Sequence, residues 1–398
     1  CRRCSSPMRH GSVVLKSGVF RPFQRAERAY SPVVRRRKTQ GERVRIIPGF
    51  ADAGWHDLEE SAAYEGWYLD AISTDGRTAF VFIWFAGLPF SPDALTNHER
   101  GRPASARDHV AMFTAVYVDG KQIAYALNRH PETEFAASRD SLCVRVGPNS
   151  LERRDGGELT AEVDAPMLFG GGRLSGDLRV CPSGPDGGGM VEVAGDADHV
   201  WNPLFPSCSV TGSLRLTGSD GSTKWSSEFE GRGYLDHNYG RRPLTEGIRR
   251  WHWGRAHLGD TTIVYYHNEP TSGPGETVLA IVDGAELPVD CTDVKFTASD
   301  WRRRVLCPRF PNAVSIDGRR ENERVTFSAR RRHVVDWGPF YMRFICDVTA
   351  KIGDRELSGL AMTEYLDPRG LRARWLRPLI KTRIRKVVSG TQVQRLRF

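Results

Sequence analysis

The most constraining feature of this sequence is a series of short apolar runs with a period of two, separated by turns rich in glycine and aspartate. Thr78 to Phe85 follows the turn at residues 74–77, and Val110 to Val118 precedes the turn Asp119-Gly120. Alternation of this kind between such turns is typical of antiparallel β-hairpins. Helical periodicity is scarce between residues 46 and 370. The sequence therefore predicts an all-β fold built from antiparallel barrels or sandwiches.

The same pattern recurs along the body of the chain and predicts its other strands. Predicted hairpins are Gly66 to Ser73 with Thr78 to Phe85, Val110 to Val118 with Gln122 to Ala126, Cys143 to Val146 with Leu159 to Val163, Ser213 to Leu216 with Lys224 to Phe229, and Trp251 to Leu258 with Thr261 to His267. Further strands are predicted at Thr277 to Val282, Val325 to Ala329, Tyr341 to Val348 and Leu357 to Tyr365.

Charge divides the 398 residues into three parts. The chain has a net charge of +9, but residues 1–45 carry +11 and residues 371–398 carry +9, which leaves −11 on residues 46–370. Basic segments attract polyanions. Recognition of nucleic acid would also need positive charge on the folded body. An anionic membrane surface is therefore the expected partner and nucleic acid is not. Residues 1–45 have few apolar anchors, which predicts a disordered basic tail.

The C-terminal segment has the pattern of a short, basic, amphipathic helix. Leu371, Trp375 and Leu379 can line one side, arginines and lysines crowd the rest, and Pro378 is expected to kink or interrupt the helix. Such a segment can lie on anionic lipid, and it can equally pack on its own domain. The protein is accordingly expected in the cytoplasm, peripheral on the inner membrane surface. The sequence does not indicate an oligomeric state.

Several classes of site are not indicated. The eight cysteines are scattered, which favours reduced thiols in a cytosolic protein. The histidines show no metal-ligand spacing joined to a matching carboxylate pattern, so no metal site is predicted. Glycine-rich phosphate-binding motifs do not occur in a supporting context, and no cofactor is expected. The first residue is Cys1 rather than methionine, so a missing targeting segment stays open.

The densest set of reactive side chains lies between Gly233 and Gly240. If the preceding strand continues, Tyr234, Asp236 and Asn238 share one face, whereas Leu235, His237 and Tyr239 share the other. An acid set in an apolar aromatic wall has a raised pKa and can donate a proton near neutrality. Aromatic segments occur on both sides of this stretch. They contain His199 and Trp201, Trp251 and Trp253, and Tyr265 and Tyr266.

These motifs, in their order, resemble the carotenoid 1,2-hydratase (hydroxyneurosporene synthase) family. The resemblance rests on His199-x-Trp201-x-Pro203-x-x-Pro206, Gly233-Tyr234-Leu235-Asp236-x-Asn238-x-Gly240, Trp251-x-Trp253-x-Arg255 and Phe85-x-Gly87-x-x-Phe90-Ser91-Pro92. It extends from about residue 48 to 280 and more weakly to 370. His237, Tyr239 and His267 depart from the hydratase pattern.

The resemblance implies two lipocalin-like β-barrel domains and a cofactor-independent addition of water to the terminal 1,2 double bond of an acyclic carotenoid. The barrels would occupy residues 46–240 and 241–370, between the tails 1–45 and 371–398. The functional residues of the family would correspond to His199, Trp201, Tyr234 and Asp236. The superfamily also contains fungal pericyclases, so a polyene or isoprenoid cyclase is an alternative, as is a non-catalytic lipocalin-type carrier of a hydrophobic ligand.

Hydration of a trisubstituted alkene begins with a proton on carbon and gives a tertiary carbocation. We expect Asp236 to donate that proton, the rings of Trp201, Trp253 and Tyr266 to stabilise the cation, and His199 to orient Asp236 or the water and accept the water's proton. Trp251, His237 and Asn238 are expected to contact substrate. The interior of a barrel is the expected container for the polyene.

Overall fold

The computed structural model describes residues 44–46, 52–154, 157–183, 199–286 and 288–387. The disordered tail predicted for residues 1–45 therefore lies outside the described residues, apart from its last two. Among the described residues, strands dominate and helices are short. The all-β prediction is confirmed.

The first sheet contains thirteen strands within the part of the chain that is described. Twelve of them precede residue 241, and the last lies near the C-terminus. The twelve are β1 (Val44–Ile46), β2 (Tyr64–Ser73), β3 (Thr78–Phe85), β4 (Ala111–Val118), β5 (Lys121–Arg129), β6 (Phe135–Ala137), β7 (Cys143–Val146), β8 (Asn149–Arg153), β9 (Leu159–Pro166), β10 (Arg173–Pro182), β11 (His199–Thr217) and β12 (Thr223–Gly240).

The second sheet contains nine antiparallel strands. They are β13 (Ile248–Leu258), β14 (Thr261–Pro270), β15 (Glu276–Asp283), β16 (Val289–Asp290), β17 (Thr292–Arg302), β18 (Phe310–Arg320), β19 (Glu323–Trp337), β20 (Tyr341–Ile352) and β21 (Arg355–Leu366). Their order in the sheet is β16-β15-β14-β13-β21-β20-β19-β18-β17. The last strand of the chain, β22 (Arg385–Lys386), returns to the first sheet and pairs in parallel with β5.

The first sheet curls into a nearly closed barrel. Its order is β22-β5-β4-β3-β2-β12-β11-β10-β9-β8-β7-β6, and β1 pairs with β11. Hydrogen bonds from Leu168 N to Tyr125 O (3.1 Å) and from Asn128 Nδ2 to Pro166 O (3.1 Å) connect β5 with the end of β9. These bonds bring distant parts of the sheet together, as closure of a barrel requires.

Three layers of apolar side chains fill the molecule. One lies inside the first barrel and includes Trp67, Phe80 and Leu235. Another lies on one side of the second sheet and includes Tyr265 and Phe327. The third layer lies between the sheets, because it joins side chains of both. Its members include Tyr68, Val81, Phe113, Trp201, Tyr234, Trp253, Val264, Tyr266, Ile345 and Met362.

A buried ion pair crosses the layer between the sheets. Arg255 on β13 donates through Nε to Asp70 Oδ1 on β2 over 2.7 Å, and Tyr68 donates to Asp70 Oδ2 over 2.7 Å. The Arg255 and Asp70 side chains are at most 1% exposed. Because each charge is desolvated, the pair holds β2 and β13 in one relative position as long as both partners are present.

The helices are short and lie beside the strand ends. They are α1 (Pro92–Glu99), α2 (Leu244–Gly247), α3 (Arg369–Arg372) and α4 (Arg377–Lys381). Ser91 caps α1, since its Oγ accepts a hydrogen bond from Ala94 N over 3.2 Å. None of the helices in the described ranges is long and apolar enough to cross a membrane.

The C-terminal segment forms short turns rather than one amphipathic helix. Pro378 lies in the first turn of α4, which begins a new helix after the 3₁₀ turn Arg374–Leu376. Leu371 and Ile380 are buried against Tyr64, Leu95 and Phe340. Trp375 is 73% exposed and Leu379 is 36% exposed. The predicted apolar face is thus split between the protein's own core and the surface.

Not all strands were predicted. The sequence analysis missed β10, β17, β18 and the short strands β1, β6, β8, β16 and β22. It also paired β7 with β9, whereas β7 pairs with β8 and β8 with β9. Strand β17 alternates exposed and half-buried residues and has no apolar run that would mark it. The chain leaves the first sheet at Gly240, the end of β12, and enters the second sheet at Ile248, the start of β13. The domain boundaries given above stay a prediction.

Candidate active site

A large apolar cavity lies in the layer between the two sheets. It encloses about 1220 Å³ of empty space, including its open mouth, and both sheets and the C-terminal segment line it. The expected container was a barrel interior, but the first barrel is packed with large apolar side chains, and this cavity lies where its outer face meets the second sheet.

Asp236 lies in the wall of this cavity and is held by three side chains. Its Oδ2 accepts hydrogen bonds from the Tyr234 hydroxyl (2.8 Å) and from Trp201 Nε1 (3.0 Å), and its Oδ1 accepts one from Asn238 Nδ2 (2.5 Å). Trp201 Nε1 also lies 2.9 Å from the Tyr234 hydroxyl. Asp236 is only 4% exposed. These contacts fix the carboxyl group at the cavity surface.

Burial raises the pKa of Asp236 to about 8. The hydrogen bonds from Tyr234 and Trp201 act in the opposite direction, because they favour the carboxylate, while the nearby charge of Glu364 raises the pKa further. The group is consequently a neutral acid at neutral pH. A carboxyl group with a raised pKa thus lies against an apolar cavity.

Local sequence explains why these side chains converge. In β12, alternation brings Tyr234, Asp236 and Asn238 to the face next to the cavity, as predicted. The neighbouring strand β11 loses register with β12 between Pro203 and Cys208, where Pro203 and Pro206 have no backbone N–H to donate. This irregular segment follows His199 and Trp201, which both line the cavity.

His199 is a neutral imidazole next to a tyrosine. Its Nδ1 is 2.8 Å from the Tyr64 hydroxyl, and the side chain is buried. Burial lowers the pKa of His199 to about 3. The hydrogen bonds to Asp236 come from Tyr234, Trp201 and Asn238 rather than from His199. The other predicted role of His199, orientation of the attacking water, stays a prediction.

Aromatic rings from the second sheet complete this side of the cavity. Tyr266 stacks on Trp201 with ring centroids 5.1 Å apart, and Trp253 lies 4.9 Å from Tyr234. Trp251 lies 5.6 Å from His199. The Tyr266 hydroxyl is buried and has no hydrogen-bond partner among the described residues. The predicted site residues Trp251, Trp253, Tyr266 and Asn238 therefore all lie at the cavity.

His237 is not at the cavity, so its predicted contact with substrate is wrong. Its ring points to the opposite face of β12, where it stacks on Trp67 with centroids 4.6 Å apart. Its Nε2 lies 2.9 Å from Glu65 Oε1, and the side chain is fully buried. Alternation along the strand requires this, since His237 directly follows Asp236. Glu65, His56 and His237 are also the described residues whose ligand atoms come close enough together to hold a metal ion.

The sequence analysis missed a charged group on the far wall of the cavity. Arg343 is 1% exposed and donates to Glu364 Oε1 (3.0 Å) and to the Tyr117 hydroxyl (3.0 Å). Its guanidinium also lies 5.3 Å from the Phe113 ring centroid and 3.5 Å from Asp336 Oδ2. A lone arginine within the apolar strand from Tyr341 to Val348 was the available signal. Its partners come from distant strands, so the sequence could not indicate them.

Comparison with known proteins identifies similar chains. The family model "Carotenoid hydratase CrtC" matches residues 82–392. The chain is 27% identical over 348 residues to a hydroxyneurosporene dehydrogenase of Chlorobaculum tepidum, a match that covers 83% of this chain and 89% of that protein. It is 30% identical over 234 residues to an acyclic carotenoid 1,2-hydratase of Rubrivivax gelatinosus, covering 56% of this chain and 52% of that protein.

The fold also resembles a solved structure. The crystal structure of CghA aligns with a TM-score of 0.55 and 13% identity, and the alignment covers 83% of this chain and 94% of CghA. At this identity the likeness concerns the fold alone. It agrees with the lipocalin-like architecture that the sequence resemblance implied.

Proposed function

The chain belongs to the CrtC family of carotenoid hydratases, and from that premise we propose that it adds water to the terminal double bond of an acyclic carotenoid or a related isoprenoid. The observation that carries the proposal is a buried carboxylic acid with its pKa raised to about 8 in the wall of an apolar, aromatic cavity. Hydration is neither an oxidation nor a reduction, so the reaction needs an acid and water but no redox cofactor.

The first step is proton transfer from Asp236 to the alkene carbon that becomes the CH₂ group. Asp236 Oδ2 already accepts two hydrogen bonds, so the transferable proton resides on Oδ1. The π electrons form the new C–H bond, and the O–H electrons stay on Asp236. Tyr234, Trp201 and Asn238 then stabilise the carboxylate that is formed, because all three donate to it.

The resulting tertiary cation lies among aromatic rings. Trp251, Trp253 and Tyr266 line the cavity near Asp236. A desolvated ring face stabilises a cation by about 1–2 kcal/mol, and the Asp236 carboxylate adds an attractive charge. Trp201 also positions the acid in this proposal, because its N–H group donates a hydrogen bond to Asp236.

The second step is addition of water to the cation. When the His199 Nδ1–H donates to the Tyr64 hydroxyl oxygen, Nε2 is the ring nitrogen that accepts a hydrogen bond from water, and the Tyr266 hydroxyl, without a partner among the described residues, is a second contact. As the C–O bond forms, the oxonium loses its proton to His199. Because the pKa of His199 is about 3 and that of Asp236 is about 8, return of the proton to Asp236 is favourable and restores the acid.

The C-terminal segment supports contact with an anionic membrane surface. Trp375 and Leu379 are exposed within five residues of Ile380, which lines the cavity. Basic side chains surround them in the sequence. An exposed tryptophan among cations suits the interfacial region of a bilayer. A polyene substrate dissolved in the bilayer could then enter the cavity without crossing water.

Incubation of the protein with lycopene, neurosporene and a short acyclic isoprenoid alkene tests this function. We expect mass analysis to show a product that has gained one water. A rearranged product of unchanged mass would instead favour the cyclase alternative. Binding without any product would favour the carrier alternative.

A further inference from the structure

A second cluster of polar side chains lies behind the catalytic strand, on the face of β12 that is turned away from the cavity. It contains His237 on β12, Glu65 on the adjacent strand β2, and His56 from the segment that precedes β2. Glu65 is 1% exposed and His237 is fully buried, whereas the His56 side chain is 20% exposed. The proposed hydration uses none of these groups.

Three potential ligand atoms converge within this cluster. Glu65 Oε1 lies 2.9 Å from His56 Nδ1 and 2.9 Å from His237 Nε2, and the three atoms all lie within 4.8 Å of one another. Imidazole nitrogens and carboxylate oxygens are common ligands of zinc and related ions in proteins. Three protein ligands leave a further position for water.

One residue orients both rings from outside. His56 Nε2 lies 2.9 Å from Asp52 Oδ1, and His237 Nδ1 lies 2.9 Å from the backbone carbonyl oxygen of Asp52. Histidines that bind metals almost always donate their other ring N–H to a carboxylate or a carbonyl in this way. Tyr239 in turn donates to Asp52 Oδ2 over 2.9 Å. The outer contacts of a metal site are therefore complete.

The ring nitrogens of the cluster are arranged as those of a metal site would be. Each of the four ring nitrogens of His56 and His237 faces an oxygen atom of Glu65 or Asp52. A divalent ion bound to His56 Nδ1, His237 Nε2 and Glu65 leaves both rings neutral, each with its remaining N–H donated to Asp52.

We propose that His56, Glu65 and His237 bind one divalent transition-metal ion of the zinc type. The half-buried His56 provides the path by which the ion enters. The ion fastens the segment around Asp52 and His56 to β2 and β12. Its ligands adjoin groups of the candidate active site in sequence, since His237 lies between Asp236 and Asn238, and Glu65 follows Tyr64. The site supports the position of these strands, and its existence does not depend on the hydration chemistry.

Spacing rules could not reveal this site. The three ligands come from segments 9 and 172 residues apart. Only the antiparallel pairing of β2 with β12, which places His237 opposite Trp67 and Tyr239 opposite Glu65, brings them together.

The test uses the full chain without a polyhistidine tag, stripped with a chelator and titrated with Zn²⁺. We expect one saturable equivalent by calorimetry and elemental analysis, a rise in the unfolding temperature, and visible absorption bands when Co²⁺ replaces Zn²⁺. His56→Gln should weaken Zn²⁺ binding at least about 100-fold, and Asp52→Asn should weaken it about 10–100-fold by removing an outer contact. His98→Gln is the control, because His98 pairs with Glu246 outside the cluster.

Two results would overturn the proposal. One is the absence of saturable Zn²⁺ binding to the stripped wild-type protein, which would leave a hydrogen-bonded charge network only. The other is unchanged affinity in both His56→Gln and Asp52→Asn, which would place the metal elsewhere. If His56→Gln fails to fold, Asp52→Asn decides, because an asparagine keeps the size of the side chain.

Discussion

Tyr234 and Asp236 lie two residues apart on one face of β12, and the tyrosine hydroxyl donates a 2.8 Å hydrogen bond to the carboxyl group. A donor to a carboxylate normally lowers the pKa of an acid. Here burial outweighs that effect, and the pKa of Asp236 rises to about 8. The pair therefore combines a neutral acid at rest with stabilisation of the anion that forms when the proton leaves.

The rate of hydration should depend on pH through Asp236. Activity requires the protonated acid, so kcat/KM should be constant below the pKa and fall tenfold per pH unit above about 8. Stability should change in the same direction. The usual pKa of an aspartate is 3.8, and that of Asp236 in the folded protein is about 8. Between these two pH values the folded protein keeps a proton that the unfolded chain releases, so Asp236 makes the free energy of unfolding fall as the pH rises. A pH–rate profile that is flat up to pH 10 would contradict the assignment.

Tyr234→Phe should shift the pH profile upward. The change removes a hydrogen bond that lowers the pKa of Asp236, so the alkaline limb should move to higher pH. The rate at pH 7 should drop about 10–100-fold, because the carboxylate formed in the first step loses one donor. Steady-state rates between pH 6 and 10 measure both effects. An unshifted limb with normal activity would show that Tyr234 has no influence on the acid.

Asp70→Asn should destabilise the protein by about 3–5 kcal/mol, because it leaves the buried Arg255 without its counter-charge. Urea unfolding measures the loss. Asp119→Asn is the matched control, since Asp119 pairs with Arg77 on the surface, where both side chains are more than half exposed. The control should change stability little. Equal effects of the two substitutions would contradict the role given to the buried pair.

Trp375→Ala combined with Leu379→Ala should weaken binding to anionic vesicles, and binding of the wild-type protein should fall with added salt. Co-sedimentation with phosphatidylserine-containing vesicles measures both. Deletion of residues 371–398 is a poor test, because it would also remove the buried Leu371 and Ile380. If the double variant sediments like the wild-type protein, the exposed side chains do not contact the membrane.

Local pattern predicted much of the fold and part of the site. Alternation placed Tyr234, Asp236 and Asn238 on one face of β12, and it placed Trp251 and Trp253 together on β13. These are properties of neighbours in sequence. The missed strand β17 alternates without an apolar run, so its packing comes from tertiary context.

The remaining parts of the site depend on contacts between distant strands. Arg343 and Glu364 meet because β20 and β21 pair, and the Tyr117 hydroxyl reaches Arg343 from the other sheet. The sequence pattern could not indicate the location of the cavity either. Which face of a barrel is filled depends on how the side chains of both sheets pack, and no single strand carries that information.

Reaction in D₂O tests the central claim most directly. The account predicts that the wild-type protein gives a hydrated product with one deuterium bound to the carbon beside the new hydroxyl-bearing carbon, and that Asp236→Asn, although folded, gives none. Normal turnover by Asp236→Asn, or a hydrated product without carbon-bound deuterium, would contradict Asp236 as the proton donor.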